Sequence, residues 1–237
     1  MHPERLSDLR KGLSDLKVGA LLSLLTYVIL LVALLSSLSL LPMFTLMLGQ
    51  LELTSLISVM PLLSIVLLAV LAALVTSLAA FYKFFRATGH LKRFDAPKLG
   101  IGRIGVLLGI VGAVVILLGS ISLVSLTMTS ASLSAPVESL EYLSPYGLYA
   151  FTGVLVVGAI VIVIGEILFS VMVMRLGEVE GLNSGFRTAG ILYLAGILIA
   201  FIPLVSLLAL VLEIVALILI YRCSESSLRF LASVPRP

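Results

Sequence analysis

The chain has 237 residues, 61% of them hydrophobic and 11% charged, against about 45–50% and about 25% in ordinary soluble domains. These proportions exclude a soluble globular domain, and they exclude a disordered chain, which needs charge to stay solvated. The formal net charge of only +3 leaves the placement of the charges, rather than their sum, to carry the reading.

The first element is a short amphipathic stretch. Leu6, Leu9, Leu13 and Leu16 recur at helical spacing with Arg5, Asp8, Arg10, Lys11 and Asp15 between them, which predicts a helix over residues 1–17 lying on the inner membrane surface. The apolar run that follows, Val18 to Leu41, is too long for the hydrophobic region of a cleaved signal, about 7–15 residues, and is expected to stay in the membrane.

A transmembrane helix needs about 20 apolar residues. Charge-free runs meet this at Val18 to Leu41, Leu56 to Tyr82, Ile104 to Leu126 and Leu148 to Met174. A fifth run, Thr188 to Tyr221, would form a helix of about 50 Å, too long for one straight crossing. Pro203 near its middle disfavours helix at Ile202, so the run reads as two helices, Thr188 to Ile202 and Pro203 to Tyr221, with one long Pro-kinked helix as the alternative. Only Ser206 is at hand to satisfy backbone groups freed at the turn.

Charge discriminates between six crossings and five. With six and both termini cytoplasmic, all 15 basic residues fall on the inner side, and the outer loops keep only Glu52, Glu138 and Glu141. This matches the accumulation of lysine and arginine in short cytoplasmic loops, whereas five crossings strand arginines outside. The expected fold is therefore an all-α, polytopic bundle of six transmembrane helices (alternatively five). It forms one membrane domain, with an interfacial helix (1–17), a transmembrane bundle (18–221) and a cytoplasmic tail (222–237). Lys17-Val18-Gly19-Ala20-Leu21-Leu22, Arg103-Ile104-Gly105-Val106-Leu107-Leu108 and Arg187-Thr188-Ala189-Gly190-Ile191-Leu192 open the odd-numbered helices alike, which suggests three successive hairpins.

Between the second and third spans, Lys83, Arg86, Lys92, Arg93, Lys98 and Arg103 alternate with Phe84, Phe85, Leu91 and Phe94. This reads as a loop resting on anionic lipid headgroups, each cation contributing about 1 kcal/mol. No nucleic-acid-binding module surrounds it. The outer loop Thr127 to Gly147 carries Pro136 and Pro145, with Tyr142, Tyr146 and Tyr149 placed for the headgroup level.

Two acidic residues lie within the spans, Glu166 and Glu213, each about 13 Å along its helix from the arginine that ends it, Arg175 or Arg222. An ionised carboxylate at that depth costs about 2.5–3.5 kcal/mol, so both are expected to face the protein interior. There they form a candidate proton or cation site, or a polar clamp between helices.

Gly102, Gly105, Gly109, Gly112 and Gly119 line the third helix, and Gly153, Gly158 and Gly165 the fourth, as surfaces for close helix packing within the chain or with a second copy. No catalytic motif appears. His2 and His90 lie outside the apolar runs, and Cys223 is alone, so neither a metal, a cofactor nor an enzymatic activity is expected. Gly181-Leu182-Asn183-Ser184-Gly185 reads as a turn.

Gly12-Leu13-Ser14-Asp15-Leu16-Lys17-Val18-Gly19-Ala20 and Lys98-Leu99-Gly100-Ile101-Gly102-Arg103-Ile104-Gly105 resemble an archaeal family of multi-pass membrane proteins, domain of unknown function 973. The resemblance extends along most of the chain and implies an archaeal cell membrane, with no activity or catalytic residue to carry over. From the residues themselves, the expectation is a non-enzymatic protein acting by association with itself or another membrane component. The alternative is a small proton- or cation-coupled carrier using Glu166 and Glu213.

Overall fold

In hydrocarbon no water satisfies a backbone amide, so a leucine-rich chain closes its hydrogen bonds along its own helices. The computed structural model is all-α. It describes residues 3–47, 53–132, 145–202 and 205–233, and the side chains of 4–38, 64–122, 151–202 and 205–233. The helices are α1 (Pro3–Met47), α2 (Leu53–Phe94), α3 (Ala96–Ser132), α4 (Pro145–Leu176), α5 (Gly185–Ala200) and α6 (Ser206–Ser233). All but α5 are long and apolar enough to cross a membrane; α5 is apolar but shorter.

Helix pairs pack as hairpins, α1 with α2, α3 with α4 and α5 with α6. Further contacts of α2 with α3, α4 with α5 and α6 with α1 close them into a ring in chain order. Each seam is antiparallel. Thr26 Oγ1 meets Thr76 Oγ1 at 2.8 Å between α1 and α2, and Ser170 Oγ donates to the Gly190 carbonyl at 2.8 Å between α4 and α5. Gly196 of α5 packs on Ala209 and Glu213 of α6. Lys17 of α1 pairs with Glu225 of α6.

The long helices gather every described lysine and arginine at one end of the ring. At 45 and 42 residues, α1 and α2 run for about 68 and 63 Å, twice a hydrocarbon core of about 30 Å. The excess departs from the sequence expectation in two places. The segment expected on the lipid surface is the first part of α1, and its Leu9, Leu13 and Leu16 are buried against protein in one core with Leu91, Leu176 and Phe186. The basic stretch 83–103 is likewise helical, the end of α2 and the start of α3, broken only at Asp95. There the Asp95 carboxylate accepts the Lys98 amide at 3.2 Å, an N-terminal cap with Pro97 inside the first turn of α3. Leu91 and Phe94 point into the core rather than into lipid.

The apolar stretch at the end of the chain divides into α5 and α6, as the hairpin reading expects, with the break over residues 201–205; Pro203 lies outside the described residues. The hairpin is short. Arg187 to Ile202 covers about 22 Å, and its tip is apolar, with Phe201 63% and Leu207 77% exposed. The outer-loop residues Glu52, Glu138, Glu141, Pro136 and Tyr142 lie outside the described residues, as do the side chains of Pro145, Tyr146 and Tyr149.

Candidate functional site

Close approach of α3 and α4 shapes the interior. A Cβ on Gly105 would lie 2.5 Å from the Gly165 carbonyl oxygen, and one on Gly112 would lie 2.7 Å from that of Gly158. Gly102 meets Met172 and Gly119 meets Val154. All five glycines singled out on α3 therefore meet α4, Gly109 through its backbone, which lies 2.7 Å from a Cβ built on Gly165. Gly109 has Phe81 of α2 as the neighbour of its missing Cβ, at 3.8 Å.

Drawing α4 against α3 leaves space on the side of α1, α2 and α5. The resulting chamber, about 270 Å³, is lined by Glu166 and Tyr27, with Ser23, Thr26 and Ser77, and by Phe81, Phe84, Phe169 and Tyr193. Phe169 stacks edge-on against both Phe84 and Tyr193, at centroid distances of 5.1 and 5.9 Å. The rim includes Leu30 and Phe81, which remain 44% and 38% exposed, so the chamber is not sealed.

The two intramembrane carboxyls differ in role. α5 stands between α4 and α6 in the ring, yet Glu166 and Glu213 lie close enough to interact electrostatically. The Tyr27 hydroxyl donates to Glu213 Oε2 at 2.6 Å, tying α1 to α6. Glu166 faces the chamber and, among the described residues, meets neither a hydrogen-bond donor nor a cation. No described group of three His, Cys, Asp or Glu side chains is placed to hold a metal ion.

At the basic end some of the charges are paired within the protein. Asp15, 8% exposed, accepts from Lys83 at 2.9 Å and lies 3.6 Å from Arg86. His90 meets Asp8 at 3.0 Å, and Arg10 donates to the Leu231 carbonyl. Arg103 lies over the Phe85 ring, and Arg175 donates to the Lys98 carbonyl. Of the six cations expected at headgroups, Arg86, Lys92, Arg93 and Lys98 are exposed, while Lys83 and Arg103 are half-buried. Gly181, at φ +83°, makes the α4–α5 turn, while Glu178 and Glu180 are exposed. Cys223 is buried and free.

Sequence reasoning singled out both glutamates but missed the tyrosines. Tyr27 interrupts a run otherwise built of Leu, Ile, Val, Ala, Gly, Ser and Thr, and a phenol there needs a partner for its hydroxyl. That signal was present; the identity of the partner was not.

The family model described as "Protein of unknown function (DUF973)" matches residues 9–236, and the chain belongs to that family. Neither a curated protein nor a solved structure matches it.

Proposed function

We propose that this multi-pass membrane protein is a small, non-enzymatic carrier in which Glu166 exchanges a proton for a cation, while the Glu213–Tyr27 bond holds the ring closed. The observation that supports this most strongly is the asymmetry of the carboxyls: one is bonded across a helix seam and the other faces a chamber without a partner among the described residues. Glu166 is half-buried, and a carboxyl at that depth with no fixed partner is free to exchange one positive partner for another. We place the basic end and both termini in the cytoplasm, on the tendency of Lys and Arg to remain there. Exposed Arg86, Lys92, Arg93 and Lys98 would then rest near anionic headgroups.

The test is flux. Purified protein in liposomes should move protons when a gradient of the coupled cation, inorganic or organic, is imposed, and Glu166→Gln should abolish this flux. A Glu166→Gln, Glu213→Gln double variant with unchanged flux would sink the carrier reading. The second reading, action by association with a second copy or another membrane component, draws on the short α5–α6 hairpin. Toward its tip, Leu31, Leu34, Leu35 and Leu38 of α1 are left exposed. A stoichiometric partner retained through mild purification would support it.

A further inference from the structure

We infer that the chamber takes an organic cation, a hydrophobic amine or quaternary ammonium with at least one apolar or aromatic substituent, and that this ligand arrives from the lipid rather than from water. The inference rests on the carrier reading and names its substrate class.

The chemistry of the walls carries it. One unpartnered carboxyl, Glu166, shares the chamber with five aromatic residues, Tyr27, Phe81, Phe84, Phe169 and Tyr193. Ring faces attract a cation through their quadrupole, and most strongly where water is excluded. Among the described residues no lysine, arginine or histidine lines the chamber, so none of them competes for the carboxyl or repels a positive ligand. An inorganic cation suits the site poorly. Hard cations require six or more oxygens when stripped of water; with the Tyr27 hydroxyl given to Glu213 and that of Thr26 engaged with Leu22 and Thr76, the lining side chains keep only the oxygens of Ser23, Ser77 and Tyr193 and the two of Glu166.

Location gives the route. Glu166 lies about 13 Å along α4 from Arg175, inside the hydrocarbon layer. The exposed rim residues, Leu30 and Phe81, are apolar. A ligand with an apolar body therefore meets continuous apolar surface from lipid to rim, and its charge meets a partner only at the chamber floor. A volume of about 270 Å³ sits near the lower end of small-molecule pockets, about 300–1,000 Å³, which limits the ligand to roughly one ring and an ammonium head.

The probe is benzyltrimethylammonium, a permanent cation, compared with neopentylbenzene, its neutral counterpart of nearly the same shape. Binding is measured by calorimetry on the full chain in lipid nanodiscs. The cation should bind saturably and at least tenfold more tightly than the neutral compound. Glu166→Gln should cost at least tenfold in cation affinity and leave the neutral compound within about twofold. The wild-type protein supplies a second measurement that requires no variant. The titratable groups facing Glu166 are Glu213 from α6, Tyr27 from α1 and Tyr193 from α5, while α2 and α3 contribute none to the chamber. Protons should therefore compete with the cation, weakening its binding up to tenfold per pH unit once Glu166 is protonated.

Equal binding of both compounds, or cation binding unaffected by both acid and Glu166→Gln, overturns the inference. Absence of cation binding alongside sodium- or potassium-driven proton flux that requires Glu166 overturns the substrate class and leaves the carrier reading standing. Absence of both binding and flux overturns both.

Discussion

Gly105 on α3 and Gly165 on α4 meet backbone to backbone: a Cβ built on either would lie 2.5 Å from the other's carbonyl oxygen. The obstruction is main chain, which cannot rotate away, so a side chain at either position must force the helices apart. Gly105→Leu and Gly165→Leu should each destabilise the bundle by about 1–3 kcal/mol, read as a lowered unfolding midpoint in SDS titration. Gly153 is the internal control. A Cβ there would meet nothing within 4 Å, so Gly153→Ala should be neutral or stabilise by up to about 1 kcal/mol through helix propensity.

The Tyr27–Glu213 bond predicts energetic coupling between α1 and α6. Tyr27→Phe removes the hydroxyl and leaves a carboxyl unbonded, at a cost of about 1–3 kcal/mol. Intramembrane hydrogen bonds measured by double-mutant cycles average about 0.6 kcal/mol. A cycle of Tyr27→Phe with Glu213→Gln should therefore give a coupling of about 0.5–2 kcal/mol by unfolding titration. A coupling of zero would remove Glu213 from the seam.

Asp15 and Glu225 give contrasting predictions at the basic end. Asp15 is buried with Lys83 and Arg86 against it, so Asp15→Asn strips two half-shielded cations of their counter-charge and should cost about 1–3 kcal/mol. Glu225 pairs with Lys17 and Arg229 at 30% side-chain exposure, where screening limits the effect of Glu225→Gln to about 0–1 kcal/mol. Thermal unfolding in detergent would rank the two, and the reverse order would contradict the packing described for the first turns of α1.

The tip of the α5–α6 hairpin should be shielded from water. On a Cys223→Ser background, Leu207→Cys should react with a membrane-impermeant maleimide, from either side of the vesicle, at least tenfold more slowly than Glu178→Cys reacts from the basic side. Glu178→Cys should react from the basic side only. Rapid labelling of Leu207→Cys would mean that the hairpin reaches the far surface.

The membrane bundle, its hairpin pairing and the fold-back at the chain's end were legible because each rests on a local property. These are a long apolar run, a cation at its boundary, and a proline that a straight helix cannot accommodate. Glu166 and Glu213 stood out for the same reason, since charge is scarce in hydrocarbon. The fate of the basic stretch 83–103 was not legible. Whether Leu91 and Phe94 sink into lipid or into protein depends on how far α1 and α6 extend beside them, which is a property of other segments. The aromatic chamber is equally non-local, because Phe81, Phe169 and Tyr193 come from three helices and read individually as ordinary membrane residues.

Closure of the ring also constrains when the protein can finish folding. α6 emerges after the other five helices during synthesis, yet it supplies the acceptor for Tyr27, the carbonyl that receives Arg10 and the carboxylate beside Lys17. Until it docks, one flank of the first helix waits in lipid with a phenol unsatisfied. Insertion of the early hairpins can proceed stepwise, but the finished assembly must await the emergence of α6.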